Sequence, residues 1–161
     1  MLRAKILVLS DAGSRGERAD LSGPAVRDLL SAHGWEAAEI EILPDDFELI
    51  RQNVIKWTNT SDCDAIFTVG GTGVGPRDVT PEATRAVIER EIPGLAELMR
   101  SEGLKRTRRA ALSRSLVGIR HGKLIVNLPG SPRGAVESLA SIIDLLPHAI
   151  DLIQGHTAHP H

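Results

Sequence analysis

The chain has 161 residues, which fits one ordinary domain with a hydrophobic core and leaves little room for a second. Its 19 basic and 21 acidic residues give a net charge of −2, and only 2% of its residues are aromatic. This composition argues against proteins that bind nucleic acid through charge or stacked rings, and against binding to anionic membranes. Cys63 is the only cysteine, so no intramolecular disulfide or cysteine cluster can form, and we expect a cytoplasmic protein.

The first half of the chain alternates predicted strands and helices. The continuous apolar run at 6–9 is typical of a strand that is buried on both faces in a parallel sheet. Ser-Gly-Pro at 22–24 predicts the start of a helix, and Gly34 predicts its end. The alternation at 38–43 predicts a more peripheral strand, and apolar residues at 47–57 recur at helical spacing.

The second half is less regular. A buried strand is predicted at 65–69, followed by a helix that begins near Thr80. Two further strands, at 116–119 and 124–128, are joined by a hairpin-type turn at His121-Gly122. A long helix is predicted after Pro132 and is interrupted at Pro147. Since strands and helices alternate, we predict one three-layer α/β/α domain at 1–155 with a mostly parallel sheet, and a flexible tail at 156–161.

Four polar motifs each follow directly on a predicted strand. They are Ser10-Asp11, Pro-Asp-Asp at 44–46, the glycine-rich segment 70–78, and Pro-Gly-Ser-Pro at 129–132. The carboxyl ends of parallel strands lie along one edge of the sheet, and ligand crevices form outside that edge. The sequence therefore predicts that these four distant motifs converge on one site.

The glycine-rich segment is the most informative of the four. Its glycines let backbone amides approach an anion closely, and the helix that begins near Thr80 directs its positive end to the same place. It is neither a P-loop, which needs Lys and Ser/Thr after the last glycine, nor a dinucleotide fingerprint, which needs glycine at Pro76. The alternative is a tight strand-to-helix turn with Arg77 and Asp78 as a surface pair.

Two carboxylates, Asp45 and Asp78, are predicted at this edge. Because bare carboxylates repel phosphate, their presence there predicts a bridging divalent cation, most naturally Mg²⁺. Asp45 and Ser131 have alternative interpretations as N-caps of the helices that follow them. The basic run at 105–109 is interpreted as a solvated helix face.

Taken together, these motifs resemble the molybdopterin adenylyltransferase family of the MogA and MoaB type, over nearly the whole chain. The matching segments are 10–11, 20–24, 44–45, 70–73, 77–83 and 128–132. The most specific of them is Gly-Gly-Thr-Gly followed by Arg-Asp-Val-Thr-Pro-Glu-Ala. The resemblance implies the MoaB/Mog-like fold.

The activity that the resemblance implies is magnesium-dependent transfer of AMP from ATP to the terminal phosphate of molybdopterin, with release of pyrophosphate. The resemblance assigns catalytic and metal-binding roles to Asp45 and Asp78. It implies a site for molybdopterin and its phosphate at Gly70, Gly71, Thr72, Gly73, Arg77, Thr80, Gly130, Ser131 and Pro132. The nucleotide side is implied at Ser10, Asp11, Asp20 and Ser22. Family members are commonly trimers, and the molybdenum insertase is the implied partner.

A non-catalytic molybdopterin-binding or scaffolding protein of the same pathway is the competing hypothesis. The presence of both Asp45 and Asp78 favours the enzyme, because binding an anion gains nothing from two bare carboxylates. A sister branch of the family tends to depart from Arg-Asp-Val-Thr, which this chain keeps at 77–80. That segment favours the adenylyltransferase branch.

Overall fold

A mostly parallel sheet forms the centre of the protein. The computed structural model describes residues 1–156, apart from the side chain at position 38. The strands are β1 (Arg3–Leu9), β2 (Glu36–Leu43), β3 (Ala65–Val69), β4 (Arg90–Glu91), β5 (Val117–Arg120) and β6 (Lys123–Leu128). Within the described part of the chain they form one sheet of six strands in the order β2-β1-β3-β6-β5-β4. The first four strands in this order are parallel, whereas β5 is antiparallel to both β6 and β4.

Helices cover both faces of the sheet. They are α1 (Asp11–Ser14), α2 (Ser22–Ala32), α3 (Phe47–Thr58), α4 (Thr80–Arg85), α5 (Pro93–Leu104), α6 (Pro132–Ala140) and α7 (Leu146–Ile153), with 3-10 turns at Arg108–Leu112 and Ile143–Leu145. On one face, Leu7, Ile66 and Ile125 pack with buried residues of α3 and α4. On the other, Ile6, Phe67 and Val126 pack with α2, α5, α6 and α7. The predicted three-layer α/β/α architecture is therefore confirmed.

The β1 and β3 strands are buried on both faces because they lie in the middle of the parallel part of the sheet. Successive side chains of a strand point to opposite faces, so a strand covered on both sides needs a continuous apolar run. The two-residue turn between β5 and β6 has φ of 48° at His121 and 73° at Gly122, as expected for a hairpin turn with two left-handed residues. The predicted hairpin is confirmed.

Two local predictions are wrong. The long helix expected after Pro132 is divided: α6 ends at Ala140, a 3-10 turn follows, and α7 begins at Leu146. Pro147 lies in the first turn of α7, where its missing N–H removes no helical hydrogen bond, so it helps to start a helix rather than interrupting one. The basic run at 105–109 is exposed but does not lie on one helix face, because α5 ends at Leu104 and the chain then turns into the 3-10 segment.

The C-terminal tail at 156–161, which we expect to be flexible, lies outside the described residues except for His156. The His156 amide donates to the Asp151 carbonyl at 2.8 Å, so this residue caps the C-terminal end of α7, which ends at Ile153. Among the described residues, no helix combines the length and the apolar character needed to cross a membrane.

Candidate active site

The carboxyl ends of β1, β2, β3 and β6 bring the four polar motifs together. The amide of Asp45 donates to the Asp11 carboxylate at 3.0 Å, which joins the ends of β1 and β2. The amide of Gly70 donates to the Leu128 carbonyl at 3.0 Å, which joins β3 to β6. The predicted convergence of these motifs at one edge of the sheet is confirmed.

Glycines are required where β3 leaves the sheet. Gly70 and Gly71 have φ of 108° and 69°, a region that strongly disfavours other residues. A Cβ on Gly70 would collide with the Leu9 carbonyl, and one on Gly71 would collide with the Thr80 hydroxyl and lie 3.0 Å from Oδ1 of Asp45. The backbone of the loop therefore lies directly against the Asp45 carboxylate, with no room for a side chain between them.

Asp45 is not the cap of α3. That role belongs to Asp46, whose carboxylate accepts a 3.0 Å hydrogen bond from the Leu49 amide. Oδ1 of Asp45 is instead buried without a hydrogen-bond partner among the described residues. Burial raises the pKa of Asp45 above its ordinary value, and the negative charges of Asp11 and Asp78 raise it further. A carboxylate oxygen in this state is well suited to receive a cation or a proton.

The carboxylate of Asp78 lies over the middle of the same loop. It accepts a 2.9 Å hydrogen bond from the Gly75 amide. A Cβ added to Gly73 would lie 2.9 Å from Oδ2 of Asp78, so glycine is needed there for the close approach of the carboxylate. Asp45 and Asp78 thus contact the glycine-rich loop at two points, Gly71 and Gly73, that are only two residues apart.

Arg77 makes a two-bond ion pair with Asp11 and not with its neighbour Asp78. Its Nε and Nη2 donate to the two carboxylate oxygens of Asp11, each at 3.0 Å. This guanidinium is the main reason why the pKa of Asp11 lies below its ordinary value. The surface pair of Arg77 with Asp78, which was the alternative interpretation, does not form. The ion pair instead links Asp11, which was expected on the nucleotide side, to Arg77, which was expected to bind the phosphate of molybdopterin.

The donor set at this edge fits a magnesium ion. Within residues 1–156, no three His, Cys, Asp or Glu side chains are grouped closely enough to hold a metal by themselves. Mg²⁺ needs fewer protein ligands, because it retains waters and binds through one or two carboxylates together with substrate phosphates. The partnerless Oδ1 of Asp45 and the nearby charge of Asp78 match that requirement.

A cleft of about 850 Å³ opens beside these carboxylates. Its walls are the glycine-rich loop, α5 with the following 3-10 turn, and α6 along its length. Of the residues expected to bind molybdopterin and its phosphate, it is lined by Gly71, Thr72, Gly73, Gly130 and Ser131. Asp78 also lines it, and so do Arg106 and Arg109 from the basic run. Glu102 and Glu137 line it as well, and Arg106 is ion-paired with Glu137 at 3.1 Å. The cleft therefore combines the backbone of the glycine-rich loop with side chains of both charges.

Ser131 has both of the roles that the sequence suggested for it. Its hydroxyl accepts a 3.0 Å hydrogen bond from the Gly134 amide and so caps α6, and the residue also lines the cleft. The next residue, Pro132, is the first residue of α6 and is exposed. The N-terminus of α6 thus faces the cleft.

Other residues predicted for the site already have partners within the protein. Thr80 is fully buried and donates its hydroxyl to the Gly70 carbonyl at 2.8 Å, so it supports the loop from behind. The Ser10 hydroxyl accepts from the Gly13 amide at 3.0 Å and caps α1. These side chains shape the edge of the sheet, and none of them lines the cleft.

The segment at 20–24 lies against the Gly130 loop. The Asp20 carboxylate accepts from the amides of Ser22 and Gly23, at 3.0 and 3.1 Å. The Ser22 hydroxyl donates to the Gly130 carbonyl at 2.6 Å. Of the residues expected on the nucleotide side, Ser22 thus contacts Gly130, whereas Asp11 contacts Asp45.

Two residues of the site were missed from the sequence. Asn127 is fully buried in β6, and its amide donates to the hydroxyls of Thr68 and Thr84 at 2.9 and 3.0 Å. It thereby ties the strand that precedes the glycine-rich loop to the helix that follows it. A signal was present, because an asparagine within an apolar strand needs specific buried partners.

Arg114 is the second missed residue. Its guanidinium donates to the carbonyls of Gly73 and Asp78, at 2.7 and 2.8 Å. No local pattern marks it, since these partners lie 41 and 36 residues earlier in the chain.

Comparison with known proteins agrees with this geometry. Residues 5–148 match the family described as "Probable molybdopterin binding domain". The chain belongs to this family. A protein named molybdopterin adenylyltransferase from Helicobacter pylori (strain J99) is 42% identical over 153 residues, which cover 94% of this chain and 87% of that protein. The protein of the same name from Escherichia coli K12 is 35% identical, over 96% of this chain and 86% of the relative.

A solved structure of another protein has the same fold as this chain. The molybdopterin biosynthesis enzyme MoaB from Thermus thermophilus superposes with a TM-score of 0.91. It is 50% identical in sequence, and the match covers 96% of this chain and 98% of that one. The MoaB/Mog-like fold predicted from the motifs is confirmed.

Proposed function

We propose that this chain is a molybdopterin adenylyltransferase, which transfers AMP from ATP to the terminal phosphate of molybdopterin. The relatives from H. pylori and E. coli carry this name, and the match to each covers more than four fifths of both chains. The observation that carries the proposal is the buried Oδ1 of Asp45, which lies against the glycine-rich loop and has no hydrogen-bond partner within residues 1–156. A module that only binds an anion gains nothing from such a carboxylate, whereas a cation-assisted transfer uses it.

In this proposal the cleft holds molybdopterin. Backbone amides of the glycine-rich loop and the N-terminus of α6 bind its phosphate. Arg109 adds positive charge to the cleft, whereas Arg106 is ion-paired with Glu137 in this structure. Aliphatic and backbone surface must provide most of the remaining contacts, because the chain has only four aromatic residues: Trp35, Phe47, Trp57 and Phe67.

The chemistry requires positioning more than a protein nucleophile. A terminal phosphate oxygen of molybdopterin attacks the α-phosphorus of ATP, the bond from that phosphorus to the bridging oxygen breaks, and pyrophosphate leaves. The charge that spreads over the phosphoryl oxygens is stabilised by fixed amides and cationic side chains. Mg²⁺, held by Asp45 and Asp78, would neutralise phosphate charge in the same place.

Arg77 lies next to the proposed metal site but is paired with Asp11 in this structure. Its positive charge partly offsets the rise in the Asp45 pKa that burial and the neighbouring carboxylates cause, and its side chain is 66% exposed. We assign it to the phosphates of the incoming substrates, which requires that it exchange the Asp11 carboxylate for a phosphate oxygen.

Three further parts of the proposal come from the family resemblance. We propose that the protein is a trimer, that it acts in the cytoplasm, and that the molybdenum insertase receives its product. The oligomeric state is tested by sedimentation equilibrium of the purified chain, which should give three times the mass of 17.3 kDa.

The activity is tested by incubating the purified chain with molybdopterin, ATP and Mg²⁺. Mass spectrometry should detect adenylylated molybdopterin, and a coupled assay should detect an equal amount of pyrophosphate. In the matched control, EDTA is added to remove free Mg²⁺, and no product should form. Molybdopterin binding without any product would contradict the enzyme and favour the non-catalytic binding protein.

A further inference from the structure

We propose that Arg114 is a positioning residue for the AMP transfer, because it closes the loop at 73–78 and thereby fixes the Asp78 carboxylate. This inference rests on the proposed function for its kinetic consequence, but its structural consequence can be measured independently. Arg114 lies in the segment between the 3-10 turn and β5, far from the loop in sequence.

The guanidinium joins the two ends of the loop. Nε donates to the Gly73 carbonyl at 2.7 Å, and Nη2 donates to the Asp78 carbonyl at 2.8 Å. These two carbonyls are five residues apart in the chain, and one planar group bridges them. The backbone amide of Arg114 also donates to the Thr72 carbonyl at 2.8 Å, which holds the two segments side by side.

The third donor connects the loop to the helix behind it. Nη1 of Arg114 bonds to Oε2 of Glu82 in α4 at 2.6 Å. This carboxylate is the main reason why the pKa of Arg114 is raised, and the guanidinium in turn lowers the pKa of Glu82. The loop, the helix and the 114 segment are therefore connected through a single side chain.

The loop needs such a support. Residues 74–77 are exposed, and the bonds within 73–78 run between Gly75 and Asp78 only: Gly75 N to Oδ2 at 2.9 Å, and Asp78 N to the Gly75 carbonyl at 3.1 Å. Glycines at 73 and 75 increase the backbone entropy that ordering must overcome. Without Arg114 the loop keeps the Arg77–Asp11 ion pair and the bonds between Gly75 and Asp78, but it loses the two bonds that hold the Gly73 and Asp78 carbonyls in place beside the Asp78 carboxylate.

Lysine is not equivalent at this position. The three acceptors of Arg114 spread around a planar fork, and a single ammonium group on a flexible stem does not reach all of them together. We therefore expect Arg114→Lys to be intermediate between the wild type and Arg114→Met in every measurement below.

The test compares Arg114→Met with Arg120→Met. Arg120 is a matched control, since its guanidinium also bonds to a backbone carbonyl and a side chain, Val87 and Thr58, but away from the carboxylates of the site. We expect Arg114→Met to lower kcat for AMP transfer by about 10–100-fold, as for other residues that orient a metal-binding group, while KM for molybdopterin changes little. Arg120→Met should keep the wild-type kcat.

The second readout does not depend on activity. Backbone ¹⁵N relaxation should show order parameters of the Gly75 and Arg77 amides falling from about 0.85 to below about 0.6 in Arg114→Met, but not in Arg120→Met. An unchanged kcat, or a loop that remains as rigid as in the wild type, would overturn the inference.

Two provisions keep the outcomes separate. If Arg114→Met does not fold, Glu82→Gln is the second variant, because it removes the charged acceptor and keeps the guanidinium. It should lower both kcat and the order parameters, by smaller amounts than Arg114→Met. No change in either would overturn the inference. If the wild type transfers no AMP, the proposed function fails, whereas the relaxation comparison still decides whether Arg114 orders the loop.

Discussion

The amide of Asp45 donates a 3.0 Å hydrogen bond to the Asp11 carboxylate, which also receives two bonds from Arg77. One side chain at the end of β1 thus organises residues from the ends of β2 and β3. The arrangement keeps the Asp45 carboxylate partly desolvated with a negative neighbour beside it. Such an arrangement costs stability, and perturbed carboxylates of this kind are concentrated at functional sites.

The cost at Asp45 predicts that Asp45→Asn stabilises the protein while abolishing AMP transfer. Because the pKa of Asp45 is raised in the folded chain, the ionised carboxylate destabilises the fold above that pKa; the penalty decreases as the pH falls below it and is gone below the ordinary pKa of the unfolded chain. At neutral pH we expect Tm to rise by about 2–4 °C, which corresponds to about 1 kcal/mol. Calorimetry at neutral and acid pH measures this gain, which should vanish on the acid side.

The matched control is Asp46→Asn. Asparagine caps helices as well as aspartate does, so this substitution should leave both Tm and AMP transfer near the wild-type values. A fall in Tm for Asp45→Asn at neutral pH would show that the carboxylate is not a stability cost.

Asp11→Asn should lower the pKa of Asp45. The substitution removes a negative charge that raises this pKa, and the asparagine oxygen can still accept the Asp45 amide. Carbon-detected NMR titration of the Asp45 carboxyl group in the protein without substrates measures the shift. An Asp45 pKa that is equal or higher in the variant would contradict the assigned charge coupling.

The same variant makes a prediction about stability. Arg77 holds the pKa of Asp11 below its ordinary value, so the pair favours the fold above the ordinary pKa, and this contribution is lost as the pH falls through the lowered one. Since the Arg77 side chain is 66% exposed, the pair contributes little, and thermal unfolding of Asp11→Asn at neutral pH should be nearly unchanged. A large fall in Tm would contradict this weak coupling.

Gly71→Ala should destabilise the protein more than Gly16→Ala. Both residues have left-handed backbones, with φ of 69° and 73°, so each substitution has a conformational cost of about 1 kcal/mol. A Cβ at Gly16 meets no atom within 4 Å, whereas one at Gly71 meets Thr80 and Asp45. We expect Gly71→Ala to cost about 1–3 kcal/mol more. Urea unfolding of the two variants gives this difference, and equal midpoints would contradict the close approach.

The sequence predicts those parts of the fold that follow from local rules. The β1 and β3 strands are continuous apolar runs, and His121-Gly122 is a turn dipeptide between two such runs, so each is identifiable from the sequence. The break after α6 is not, because apolar residues keep a helical spacing through Ile142, Ile143 and Leu146 across the 3-10 turn. Helical periodicity does not show where the backbone hydrogen bonds change type.

The candidate site is predictable where its residues follow strands. Topology alone brings Asp45 and the glycine-rich loop to the same edge, because both follow parallel strands. The partners of charged side chains are not predictable in this way. Asp78 is the sequence neighbour of Arg77, yet the guanidinium pairs with Asp11, 66 residues away. Long-range pairs of this kind depend on side-chain geometry that no local pattern contains.

In the proposed mechanism, the carboxylates of Asp45 and Asp78 at the carboxyl edge of the sheet assist AMP transfer. Asp78→Asn tests their role most directly. Asparagine can still accept the bond from the Gly75 amide, so the loop is retained while the negative charge is removed. The measurement is single-turnover AMP transfer with Mg²⁺, alongside equilibrium binding of molybdopterin to the same variant. We predict unchanged binding and transfer at least about 100-fold slower than in the wild type. Transfer at the wild-type rate would contradict the proposed role of the carboxylates.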